Sequence, residues 1–479
     1  MLLLLALLAQ LPSQAQLESA LREAISATCP GSRVRLDADL TRACQDYVAA
    51  TASGRIPPSP DAAGFYASLQ SYEPTTVAGV ASVSQAAGAD RAVAELFSPS
   101  CHFNRAGVAA ATDRKGEASV CVLVAQRTAD LDPIPGRVRP GDTVKVSGTL
   151  GEGLSKPRIF VTRPNGEVEE IALESERLLA IVPLREKGEH SIEVLAESAN
   201  GPHVVALRRV FAGVAPPDRP PRAATSGGTG LEQVAADIAR LRAAHGLPQL
   251  RRDPELDEVA KGHSEEMARA HTLAHILPAD GSPGNRLDAK GWAYSIVGEN
   301  LGFAPDAVIA HEGIAQSPAH LSNLLNPKHR SLGLGLARGA NVDGAEGVYL
   351  TEVLAAPVVG VKDPTAAVAK ELAKQRAQLG LPPLQRDKML DYFAGKEVRT
   401  AALHDDPRPR PALTGEVIQQ KQDLETVVAE VYVASAPADV ARSKNAAEPR
   451  WTRLGVGAIY ASSKRYGPGR LWVVLIYAR

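Results

Sequence analysis

The sequence predicts an α+β multidomain protein in which one α/β unit occurs as three divergent copies, with an all-β region between the first and the second. Two observations carry this. An Asp followed by Leu three residues later and by a small residue seven later recurs in VRLDADLTRAC (34–44), LRRDPELDEVA (250–260) and LQRDKMLDYFA (384–394). Each copy also closes on two apolar runs joined by a polar, Gly-containing turn: FNRAGVAAA with SVCVLVA, HRSLGLGLA with VYLTEVLA, and WTRLGVGAI with WVVLIYA. A repeated helix start followed by a strand pair implies an α/β/α sandwich for each copy, at 17–129, 231–357 and 362–479. The length of 479 residues fits roughly three or four domains.

Taken in order, the chain opens on MLLLLALLAQLPSQAQ, whose apolar run is too short to span a bilayer. Ser13-Gln14-Ala15 follows as a small-x-small cleavage signal, so residues 1–15 read as a signal peptide and the protein as exported, periplasmic or extracellular. A formal charge of −1 without a Lys/Arg stripe argues against a nucleic-acid surface, and no second long apolar run offers a transmembrane segment. The four cysteines, Cys29, Cys44, Cys101 and Cys121, lie in the first copy, where an exported context favours disulfides. Three connectivities are open; neighbour pairing, Cys29 with Cys44 and Cys101 with Cys121, is preferred because each pair closes a short loop.

From 132 to 213 the texture changes to short alternating strands, TVKVSG, PRIFVT, VEEIAL, LLAIVP, HSIEVLA and VVALRRVF, separated by turn residues. An immunoglobulin-like β-sandwich without a chemical motif is expected there. The Pro-rich, then Gly/Ser-rich segment 214–230 reads as a linker.

In the second copy, Asp253 is placed to cap a helix starting at Pro254, as Asp37 and Asp387 are in the others. Leu256, Val259, Ala260, His263, Met267 and Ala270 share one helical stripe, so His263 reads as a core histidine held by hydrogen bonds. His271, at the helix end, reads as meeting free carbonyls. His275, Glu299, His320 and Glu352 stand in apolar or turn-forming surroundings, where an imidazole or carboxylate must be paired, metal-bound or facing a cleft. Asn300 reads as pinning a turn. Aligning the last strands on Ala125, Ala355 and Ala478 sets Val122 and Leu475 opposite Glu352.

These motifs resemble the bacterial branch of the CAP superfamily (cysteine-rich secretory proteins, antigen 5 and pathogenesis-related proteins), also called SCP-like domains, over about residues 231–357. The resemblance rests on Met267, His275, Asp280-Gly281 and Arg286-Leu287, then on Gly298-Glu299-Asn300, then on SPAHLSNLL from Ser317 to Leu325. Leu273-Ala274 replaces the family's aromatic-Ser, and Leu321 its Arg. The resemblance implies an α/β/α CAP domain whose cleft is lined by His275, Glu299, His320 and Glu352, with Glu312 or His311 as substitutes for a further glutamate. The third copy keeps Gly415-Glu416 but lacks the two histidines, and the first lacks both features, so both read as degenerate CAP-like copies.

Two imidazoles and one or two carboxylates form a ligand set for zinc or another divalent metal, with His275, His320 and Glu299 as ligands and Glu352 as a possible fourth. They lie too far apart in sequence to form a local metal motif. No nucleophile elbow or phosphate loop appears. The leading reading is an exported binding or scaffold protein holding an envelope lipid, glycan or peptide; the alternative is a metal-dependent hydrolase acting on envelope peptides or peptidoglycan.

Overall fold

Asp37, Asp253 and Asp387 each accept backbone N–H bonds at the start of a helix, Ala38–Ala52, Pro254–Ala270 and Lys388–His404 respectively. In this computed structural model, which describes residues 10–74, 76–97, 101–174, 177–220, 230–358 and 360–479, each of these helices packs on a four-stranded sheet. The three sheets share one strand order. A two-residue strand runs parallel to the penultimate strand of its set; the last strand lies antiparallel between the penultimate and a third strand that forms the far edge.

The register repeats as well. Arg105 faces Ala125, Ser331 faces Ala355 and Arg453 faces Ala478, so the three closing alanines are equivalent, and Val122, Glu352 and Leu475 share one position. The last strand of each set is buried on both faces. Trp472, Val474 and Ile476 join one core, and Leu471, Val473, Leu475 and Tyr477 another. Such a strand reads as a continuous apolar run because helices cover both sides. A Cβ on Gly333 or Gly335 would collide with the backbone of Leu256 or Ala260, so the LGLGLA pattern lets the helix backbone rest directly on the strand. Gly455 and Gly457 meet Leu390 and Ala394 in the same way.

Between the first two sheets, strands Ala129–Leu131, Thr143–Leu150 and Leu179–Pro183 form a three-stranded sheet. Arg137–Val138, Ser155–Thr162, Val168–Ile171, Gly188–Ser198 and Gly201–Ala212 form a five-stranded one. Val144, Val146, Ala180 and Val182 from the first meet Ile159, Val161, Ile192, Val194 and Val210 from the second in one core.

The leading apolar run at 1–9 and linker residues 221–229 lie outside the described residues. The expected cleavage position falls in the first turn of the helix Gln14–Thr28, which Ser13 caps together with Gln16. Among the described residues no helix is long and apolar enough to cross a membrane.

The preferred disulfide pairing is overturned. Cys29 bonds to Cys101, joining the end of the first helix to the segment before strand Arg105–Thr112. Cys44 and Cys121, helix to central strand, face each other in the core as unbonded thiols, their sulfurs 2.6 Å apart, so the expected second disulfide is absent among the described residues. Sequence proximity misleads because the fold, not loop length, brings the thiols together. Protein isolated from its native compartment and denatured without reductant is expected to show two titratable thiols, those of Cys44 and Cys121. No titratable thiol would show that Cys44 and Cys121 also pair, and four would refute the Cys29–Cys101 bond.

Candidate functional site

His263 is fully buried on the helix Pro254–Ala270, as its apolar stripe requires. Its Nδ1 lies 2.7 Å from Asp280 and its Nε2 2.9 Å from the Ala274 carbonyl. The ring is thus held between a carboxylate and a carbonyl, one on each nitrogen. This pins the loop 271–282 to the helix. His271 ends the helix in the left-handed conformation, its backbone N–H donating to the Ala268 carbonyl while its ring reaches the Ala340 carbonyl of a neighbouring strand. Arg286 donates to the carbonyls of Gly281 and His275 and to Asp280, and sends its second terminal nitrogen to Glu299 at 2.5 Å.

Gly298-Glu299-Asn300 lies inside the edge strand Tyr294–Ala304, not in a turn, so the expectation for Asn300 is corrected. The triplet looks turn-like, but Leu301 and Phe303 beyond it continue the strand. Glu299 is 5 % exposed and faces the His263 side of the sheet, where His275 Nδ1 donates to it at 2.9 Å. Burial alone would raise its carboxyl, but the His275 hydrogen bond and the charges of Arg286 and His263 hold it below the usual carboxylate range.

Asn300, one residue on, faces the other side together with its cross-strand partner Glu352. Glu352 is fully buried, accepting from His311 Nδ1 at 2.6 Å and Asn300 Nδ2 at 3.1 Å. It is not a companion of Glu299 at the cleft, because the strand's two-residue period separates them onto opposite faces. His311 and Glu352 satisfy each other, and Glu312 is exposed.

Ser317 caps the helix Pro318–Leu324 and sets His320 beside the same edge strand. Asn323 donates to Asn300 and to the Glu299 carbonyl, while Leu321 and Leu324 are buried, so the SPAHLSNLL segment locks to the strand that carries Glu299. The His275 and His320 rings face each other with centroids 6.4 Å apart and planes tilted by 33°. Burial, with His275 adding to it, pushes the His320 imidazole down to about 3. The His329 ring, 1 % exposed and with the Asn323 carbonyl as its one hydrogen-bond partner among the described residues, is pushed by burial to about 4.

The structure thus gathers His275, His320 and Glu299 and leaves Glu352 behind the sheet. Since a carboxylate only accepts, His275 carries its proton on Nδ1 when neutral and offers Nε2 as an acceptor. His320 Nδ1 lies 2.8 Å from Ser317 Oγ, which lies 2.5 Å from Glu193 of the β-sandwich; when Glu193 is ionised Ser317 donates to it, and His320 is then also protonated on Nδ1. The residues do not fit a zinc centre with three protein ligands. Both oxygens of Glu299 are taken by His275 and Arg286, and Glu352 is sequestered. Among the described residues no three His, Cys, Asp or Glu side chains are grouped to hold a metal ion.

Sequence reasoning missed three participants. Arg286 was seen as a motif residue but not as the partner of Glu299, and Ser317 not as the link to His320. Glu193 gave no local signal. The equivalent register positions to Glu299 hold Ala78 and Ala429, so the other two sheets lack the carboxylate. Gly415-Glu416 is not its counterpart: Glu416 lies on the helix Leu413–Gln420, bonded to Arg410.

Residues 236–353 match the model of the cysteine-rich secretory protein family, CAP. An uncharacterized membrane protein, YlbC of Bacillus subtilis (strain 168), is 35 % identical over 99 residues, 20 % of this chain and 29 % of its own. An uncharacterized protein, YkwD of the same organism, is 28 % identical over 104 residues, 21 % of this chain and 40 % of its own. The chain therefore spans less than half the length of either relative. Among solved structures, an extracellular protein containing a SCP domain from Bacillus anthracis str. Ames is 20 % identical, with a TM-score of 0.23, covering 44 % of this chain and 77 % of its own. An outer surface protein from Borrelia burgdorferi is 20 % identical, with a TM-score of 0.24, covering 27 % and 92 %. The segment that carries the facing imidazoles is a CAP domain of the cysteine-rich secretory protein family.

Proposed function

We propose that this chain is an exported binding or scaffold protein whose CAP domain holds an envelope lipid, glycan or peptide at the His275–His320 pair. The observation that carries the reading is the pair itself: two facing imidazoles, each with Nδ1 committed to a fixed acceptor. Two Nε2 acceptors suit a ligand that brings hydroxyl or amide N–H donors. The first and third units are best read as degenerate CAP-like copies without the pair, and 132–213 as an immunoglobulin-like module. Export rests on the leading apolar run. The alternative, a metal-dependent hydrolase, requires a third protein ligand that the Glu299 and Glu352 hydrogen bonds withhold.

Calorimetric titration of soluble peptidoglycan fragments and, separately, of zinc into wild type, His275→Ala and His320→Ala tests both readings. Both substitutions are expected to weaken fragment binding at least tenfold. His275→Ala should also lower stability by about 1–3 kcal/mol, because it strips a donor from buried Glu299. Unchanged fragment binding in both variants would sink the assignment of the pair. Tight zinc binding lost in either variant would revive the metal reading, and equal zinc binding by all three proteins would eliminate it.

A further inference from the structure

We propose that Glu193, on the central strand Gly188–Ser198 of the β-sandwich, is a positioning residue of the CAP-domain site, acting through Ser317 to fix which nitrogen of His320 carries the proton. Glu193 is fully buried where the helix Pro318–Leu324 packs against that sandwich strand. One carboxylate oxygen accepts from Ser317 Oγ at 2.5 Å and the other from the Ala319 backbone N–H at 3.0 Å. Its neighbours across the sheet are Leu207 and Phe160. The sandwich touches the site a second time, where the Ile276 backbone N–H donates to the Asn200 carbonyl and Gly201 packs on His275. The sandwich therefore fixes His320 through Ser317 and braces the backbone that carries His275, whose ring is held by Glu299.

The direction of each hydrogen bond follows from the chemistry. An ionised carboxylate offers no proton, so the Ser317 hydroxyl hydrogen must point at Glu193. Ser317 Oγ is then left as an acceptor, and His320 Nδ1 must donate to it. Nε2 of His320 keeps its lone pair as the free face of the ring. Replacing Glu193 by Gln changes this chain without changing its shape. The amide oxygen is needed by the Ala319 N–H, so the amide NH2 faces Ser317 Oγ and donates to it. Ser317 then turns its hydroxyl hydrogen to His320 Nδ1, and the ring proton moves to Nε2.

This inference concerns the same imidazole pair as the proposed binding function, but its readout is the tautomer itself and needs no ligand, so either can fail alone. The experiment is ¹⁵N NMR of histidine-labelled full-length protein at pH 8.5, with the His320 signals assigned by their loss in His320→Gln. Wild type is expected to show His320 with Nδ1 protonated. Glu193→Gln is expected to show Nε2 protonated, with the His263 signals unmoved as the check on the fold. If Glu193→Gln fails to fold, Ser317→Ala replaces it; there His320 Nδ1 loses its acceptor and the signals should move toward the Nε2-protonated form. Wild-type His320 already protonated on Nε2, or an Nδ1-protonated ring that persists in the variant, would overturn the proposal.

Discussion

Replacing Arg286 by Met is expected to destabilise the CAP domain by about 3–5 kcal/mol, the usual cost of removing one member of a buried ion pair. Arg286 is 7 % exposed, and the carboxylate it neutralises is 5 % exposed. Its guanidinium also holds the Gly281 and His275 carbonyls, so the substitution frees the loop that presents His275 as well as stranding Glu299. Against a domain stability of about 5–15 kcal/mol, a loss of this size threatens folding at physiological temperature. Hydrogen exchange over residues 275–301 gives the measurement, with protection falling far more than in the third unit. The double variant Arg286→Met, Glu299→Gln should recover part of the loss, because the stranded charge is gone. A single variant as protected as wild type would show that the pair contributes nothing. A double variant no better than the single would place the loss in the loop carbonyls instead.

What the sequence revealed and what it hid divide along the range of the interactions. The helix starts at Asp37, Asp253 and Asp387 were legible because an N-cap acts on backbone groups two or three residues away. The alignment on Ala125, Ala355 and Ala478 was legible because a central strand repeats its apolar run. His275 and His320 were found through their motifs, and the structure sets them face to face. The side of the sheet was harder to read. Glu352 looked like a companion to Glu299, and only the cross-strand register shows that the two point oppositely. The cysteine pairing and the partners of Glu299 depend on contacts that no spacing encodes. Arg242 and Arg376 sit on helices where a surface arginine looks ordinary. Both are buried, and each donates to the carbonyls of a distant loop, Leu324 and Asn326 for one and Ala446 and Glu448 for the other.

Glu193 lies at the far end of that scale, 124 residues from Ser317, and it gives the joint between β-sandwich and CAP domain an expected dependence on pH. Burial lifts its carboxyl from 4.5 to about 7, with the Ser317 and Ala319 hydrogen bonds pulling the other way. A raised folded-state value means that the folded protein holds the proton more tightly than the unfolded chain. Its contribution to stability is therefore complete below about 4.5 and is lost as pH rises through about 7. The difference corresponds to roughly 3 kcal/mol. Glu193→Gln cannot titrate, so comparing it with wild type isolates this group from the opposing effect of His320 and His329, which are neutral when folded and destabilise the domain as pH falls. Relative to the variant, wild type should lose about 3 kcal/mol between about pH 4.5 and pH 8, read from urea unfolding at each pH. A constant difference across that range would mean that Glu193 keeps an ordinary carboxylate pKa in the folded protein, its two hydrogen bonds having offset the cost of burial.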